Sequence, residues 1–271
     1  MKKNQIFKIY GTDYLQMTKE ILEESGLADM IEKKDDQIGI KQNLVSPSEA
    51  SWGGTTHPEI VAGIIEYLQE HEIHRIVMLE GSWVGDKTQE AIQVCGYDKL
   101  TEKYGVPFWD MQKDSSHVKD CAGMELQICD SVEKIDFLIN VPVLKGHCQT
   151  KMTCALKNMK GLIPNKENRH FHGMGLHKPI AHLNMGIHQD FVVVDHICGD
   201  LDFEDAYQAF AEVARLGEEA GADLIHIETM SDTYEVKAAV LAAKENTSLP
   251  VFATMIFDDK GKLLTGGDVP S

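Results

Sequence analysis

Phe137-Leu138-Ile139-Asn140-Val141, continuing as Pro142-Val143-Leu144-Lys145-Gly146-His147-Cys148-Gln149-Thr150-Lys151-Met152-Thr153-Cys154-Ala155-Leu156-Lys157-Asn158-Met159-Lys160-Gly161, is an apolar run that opens into a basic one. The apolar part reads as a strand buried on both faces, the mark of a parallel sheet. Outward from it, the same reading holds for residues 37–41, for Arg75-Ile76-Val77-Met78-Leu79-Glu80, for a strand near 106–109 and for 191–194. Helical patterns fall between these runs. Ile60, Val61, Ile64, Ile65 and Leu68 line one face of residues 58–70, with Pro58 suited to the first turn and Thr56 or His57 to the cap; a second helix covers 87–95. This alternation predicts an α/β fold: a mainly parallel, Rossmann-like sheet flanked by helices. Such sheets bind ligands beyond the carboxyl ends of their strands, here the loops after Lys41, Glu80 and Val143.

The chain has 271 residues, 43% of them hydrophobic, enough for one large or two small domains with real cores. No apolar run reaches the roughly 18 residues of a membrane span, and no apolar stretch follows Lys2 and Lys3, so neither a span nor a signal peptide is expected. The six cysteines include no Cys-x-x-Cys pair, which points to free thiols in a reducing cytoplasm. A net charge of -17 argues against nucleic acid as the main partner.

Against that charge, residues 145–178 carry seven basic side chains (Lys145, Lys151, Lys157, Lys160, Lys166, Arg169 and Lys178) and one acid, Glu167. A solvated basic face would have the same composition. The spacing favours a site: if residues 150–160 are helical, His147, Lys151, Cys154 and Asn158 share one stripe, flanked by Lys157 and Lys160. The reading makes His147 and Lys157 the catalytic residues, His147 as acid/base with Lys151 or Lys157 as anion clamp, and gives Lys145, Lys151 and Lys160 to binding an anionic substrate. Asn43 with Thr55, Thr56 and His57, in the Gly53-Gly54-Thr55-Thr56-His57-Pro58 loop, would add backbone amides at a helix N-terminus, a ready anion cradle. The expected partner is a small carboxylate- or phosphate-bearing molecule, in a protein free to form oligomers. A metal is not expected, since no carboxylate or cysteine spacing completes a ligand set around His170, His172 and His177. Nothing in the sequence names a cofactor.

Residues 37–201 resemble the family called domain of unknown function 362. The stretches that carry the resemblance are Ile40-Lys41-Gln42-Asn43-Leu44-Val45, Gly54-Thr55-Thr56-His57-Pro58-Glu59-Ile60-Val61, Glu80-Gly81-Ser82-Trp83-Val84-Gly85, Cys95-Gly96-Tyr97, the Val141 to Gly161 run, Arg169-His170-Phe171-His172 and Gly175-Leu176-His177-Lys178-Pro179-Ile180. Members of that family often carry iron–sulfur modules, which implies a redox or cofactor-binding accessory protein as a second possibility. The Cys-x-x-Cys runs of such clusters are absent here. More remotely, the pattern is similar to the N-terminal half of nickel-pincer lactate racemases, in which a His and a Lys ten residues later flank substrate and cofactor, as His147 and Lys157 are spaced.

Residues 203–271 resemble an inner slice of the (β/α)₈ homocysteine S-methyltransferase domain of cobalamin-dependent methionine synthase. The residues are Glu218-Glu219-Ala220-Gly221-Ala222-Asp223-Leu224-Ile225-His226-Ile227-Glu228-Thr229-Met230-Ser231-Asp232, Leu249-Pro250-Val251-Phe252-Ala253-Thr254-Met255-Ile256-Phe257-Asp258 and Leu264-Thr265-Gly266-Gly267-Asp268. The resemblance implies two domains, 1–201 and 202–271, joined at Gly199-Asp200-Leu201-Asp202-Phe203-Glu204 as in a chimeric sequence. It also implies a partial, inactive methyltransferase, because zinc-activated methyl transfer needs thiolates and no cysteine follows Cys198.

Overall fold

The structure is a computed structural model that describes residues 5–147, 150–197, 203–230 and 233–257. Residues 199–202, 264–268 and the side chain of Lys151 lie outside the described residues. The chain divides into two compact units, the first drawn from Met1–Lys145 and Met152–Gly199, the second from Gly146–Lys151 and Asp200–Ser271.

The first unit begins with α1 (Tyr14–Ser25), capped by the Asp13 carboxylate accepting from Gln16 N at 3.1 Å, and α2 (Leu27–Met30). Gly26 links the two at φ 68°, a left-handed turn that glycine enters without a Cβ penalty. Then follow β1 (Ile38–Gln42), α3 (Pro58–Glu70), β2 (Ile76–Glu80), α4 (Thr88–Val94), α5 (Tyr97–Tyr104) and β3 (Phe108–Asp110). An antiparallel pair, β4 (Ser116–Asp120) and β5 (Glu125–Cys129), leads to β6 (Phe137–Val141). The chain then passes through β7 (Lys145–His147) and β8 (Lys151–Thr153), which pair with each other and whose residues 146–151 are counted with the second unit, and continues in the first with α6 (Ala155–Asn158), α7 (Asn165–Gly173), α8 (His177–Gly186) and β9 (Phe191–Val192).

Five of these strands form one parallel sheet in the order β3-β2-β1-β6-β9. Strand polarity and pleat explain why both faces are apolar. Ile38, Ile40, Ile76, Met78, Phe137 and Ile139 point to α1, α3 and α5, where Leu22, Ile64, Leu68 and Tyr97 meet them. Val77, Leu79 and Leu138 point the other way, onto Leu126, Ile128, Met159, Leu162, Phe171 and Leu183. The Rossmann-like α/β sheet covered on both faces is therefore as the strand–helix alternation predicts; the β4–β5 pair is not legible in that pattern.

One expectation is overturned. Residues 150–160 are not a helix: β8 occupies Lys151–Thr153, and only Ala155–Asn158 is helical before a 3₁₀ turn at Met159–Leu162. The His147 ring Nδ1 accepts from Thr150 N at 3.1 Å, closing a turn between the two paired strands. The single-stripe arrangement of His147, Lys151, Cys154 and Asn158 goes with it.

In the second unit, α9 (Phe203–Glu219) and α10 (Thr233–Asn246) accompany β10 (Ile225–Met230) and β11 (Val251–Met255), which pair in parallel from Ile225↔Val251. Its core is mostly alanine (Ala206, Ala211, Ala214, Ala238, Ala239, Ala242, Ala243), small enough for two helices to approach closely. Among the described residues no helix is long and apolar enough to cross a membrane.

Candidate functional site

The order of the sheet decides where a site can form. The chain steps from β1 to β2 to β3 on one side, then returns to place β6 on the other, so β1 and β6 flank the point at which the winding reverses. In sheets of this kind the loops at such a point leave the carboxyl ends of the two strands in opposite directions, and the crevice between them is where ligands bind.

A charge pair is built into the floor of that crevice. Lys41, next to last in β1, and Glu80, last in β2, are 0% and 2% exposed. The Lys41 ammonium donates to Glu80 Oε2 at 2.9 Å, to Gln42 O at 2.8 Å and to Asn158 Oδ1 at 3.3 Å. Glu80 also accepts from Leu44 N at 2.9 Å and Gly81 N at 2.8 Å. Burial pushes Lys41 down and Glu80 up, each against the attraction of the other. An amine that donates to three acceptors and a carboxylate that accepts from three donors, with one hydrogen bond shared between them, is the geometry of the ionised pair. Asn158 extends the network, its Nδ2 donating to Lys41 O at 3.0 Å and to Asn140 Oδ1 at 2.7 Å.

Above the pair lies a group of cations. Lys145 donates its amine to Gly54 O. Burial, then the charge of Lys157, lowers Lys145 to about 8 even with Glu80 opposing. The same two causes bring Lys160 to about 8. His172 is held below its ordinary value by burial and by Lys160 and Lys157. Lys157 is thus the common neighbour of a group drawn from the β6–α6 connection, the 3₁₀ turn and α7. Neither Lys145 nor Lys160 has a carboxylate within ion-pair distance among the described residues.

The expected cradle around Asn43, Thr55, Thr56 and His57 is differently employed. Asn43 N donates to Thr56 Oγ1 at 2.8 Å, Thr56 Oγ1 donates to Val141 O at 2.8 Å, and Thr55 Oγ1 donates to Ser48 O at 2.8 Å. Asn43 Oδ1 accepts from Val45 N at 3.2 Å. These groups tie the β1 and β6 ends together. The N-terminus of α3 already holds an anion, because Asp195 Oδ2 accepts from His57 N at 2.8 Å and from His57 Nδ1 at 2.9 Å. Burial opposes the imidazolium, yet the Asp195 carboxylate outweighs it and raises His57.

Of the residues expected at the site, Lys145, Lys157 and Lys160 converge in the first unit, whereas His147 and Lys151 belong to the second. Asp195, Asn140 and the Lys41–Glu80 pair were not singled out as its foundation. The one sequence signal for the pair is that two neighbouring apolar strands end on opposite charges. Among the described residues no three His, Cys, Asp or Glu side chains are grouped to hold a metal ion.

A family model described as "Domain of unknown function (DUF362)" matches residues 38–231, well over half of the chain, and runs through the expected join at 199–204. A curated relative, "Thylakoid-associated protein sll1697" of Synechocystis sp., is 25% identical over 158 residues, 58% of this chain and 49% of its own. The chain thus spans about half the length of that relative.

Proposed function

The chain belongs to the family described as domain of unknown function (DUF362), and from that premise we propose that its crevice binds a small carboxylate- or phosphate-bearing molecule and exchanges a proton with it. One observation carries the reading. Lys145 and Lys160 are both lowered to about 8 beside Lys157, while Glu80, the carboxylate that opposes the shift of Lys145, is already committed to Lys41. Crowded cations repel one another, and a bound anion removes that cost. A lysine near 8 also exchanges its proton readily close to neutral pH. A cytoplasmic setting is part of the proposal, supported by the free thiols Cys95, Cys121, Cys129 and Cys154. Methyl transfer to homocysteine is not part of it, since residues 199–271 supply no thiolate.

Titration calorimetry with inorganic phosphate and with oxalate tests the reading. Lys145→Gln and Lys160→Gln should each weaken whichever anion binds by about 1–3 kcal/mol, the worth of a charged hydrogen bond. Equal binding, or none, to the native protein and to the double variant overturns it.

A further inference from the structure

We infer that Lys160 is the amine nucleophile of this crevice and that the anion bound there carries an aldehyde or ketone carbonyl, which Lys160 captures as a Schiff base. This rests on the anion-binding reading above and specifies its ligand. The lysines of the site differ in what occupies their amines. Lys41 is spent on Glu80, Gln42 O and Asn158, and Lys145 donates to Gly54 O. Lys160 is 9% exposed, and among the described residues its amine has no carboxylate and no hydrogen-bond acceptor. Its Nζ lies 5.7 Å from the centroid of the Phe171 ring. Lys157 lies three residues earlier, one turn away, and the two ammonium charges disfavour each other. A desolvated lysine beside a second cation is the usual arrangement for an amine that must be neutral to react. With a value of about 8, roughly a tenth of Lys160 is neutral at pH 7.

The step balances without an oxidant. The neutral amine forms a C–N bond to the carbonyl carbon, and the C=O pair moves to oxygen, which takes one of the amine protons. The carbinolamine then loses that oxygen, with the second nitrogen proton, as water. Lys145 and Lys157 hold the ligand's carboxylate or phosphate meanwhile.

Incubation with glyoxylate or pyridoxal phosphate, reduction by cyanoborohydride and peptide mass mapping reads the adduct directly. Lys160 should be labelled at least tenfold faster than the exposed lysines, and inorganic phosphate should slow it. Lys160→Arg, which keeps the charge, should abolish that adduct. Lys157→Gln should move the pH midpoint of labelling upward and slow labelling at neutral pH several-fold. If labelling is spread evenly over surface lysines, or falls on Lys145, while phosphate still binds, the nucleophile assignment fails and anion binding stands. If neither phosphate nor oxalate binds, both fail.

Discussion

Gly161 stands where a methyl group has no room: a Cβ there would come within 1.7 Å of Glu80 Oε1 and 2.7 Å of Lys41 Cε. The buried pair cannot move aside, because Lys41 Nζ is held by Glu80, Gln42 O and Asn158 Oδ1, and the Glu80 carboxylate by Leu44 N and Gly81 N. Gly161→Ala should therefore cost about 1–3 kcal/mol, the scale of core overpacking, read as a lower urea midpoint; an unchanged midpoint would mean that the pair is looser than its hydrogen bonds imply. His57 gives a second test at this scale. Asp195 holds it above the usual 6.5, with Glu59 adding and the Tyr14 ring packed edge-on 5.4 Å away. The folded state then binds the proton more tightly than the unfolded state. The stability this contributes is whole below about 6.5 and is lost as pH rises through the higher folded value. Asp195→Asn should flatten that decline in a series of urea titrations; a decline of the same slope in the variant would assign it to another group.

At the scale of elements, the short α6 and the 3₁₀ turn after it owe their position to Asn158 more than to helix propensity. Four helical residues are too few to be stable alone, and Asn158 pins them to β1 through Lys41 O and to β6 through Asn140. That anchor sets Lys157 and Lys160, on either side of it, over the reversal point of the sheet. Replacing Asn158 by Leu leaves Lys41 short of one acceptor and Asn140 short of one donor, a loss of about 1–3 kcal/mol. It should also weaken phosphate binding, although Asn158 is 6% exposed and holds Lys41 and Asn140 rather than the cations above them. Stability lost with affinity intact would show that the cations are placed by other contacts.

For the whole molecule, the proposed anion site is one whose readiness costs stability. Lys160 is lowered from 10.5 to about 8 on folding, so between those values the unfolded chain holds more protons and stability rises with pH. Lys160→Met keeps most of the side-chain volume and removes the charge. It should stabilise the ligand-free protein by about 1–3 kcal/mol at neutral pH while weakening anion binding; a destabilised variant would show that Lys160 is answered by a charge that raises no cost. The strand–helix alternation was enough to predict a parallel sheet covered on both faces, because continuous apolar runs and helical stripes are local properties written in stretches such as 76–80 and 58–70. The charge imbalance of residues 145–178 likewise marked where the cations are. Sequence alone could not show that residues 151–160 break into a strand, a short helix and a 3₁₀ turn, nor that the helix N-terminus at His57 is filled by Asp195, 138 positions away. Partners so distant in the chain are chosen by strand order, which brings the ends of β1, β2 and β6 side by side. Only there do the lysines of the basic run meet the neighbours that set their charge.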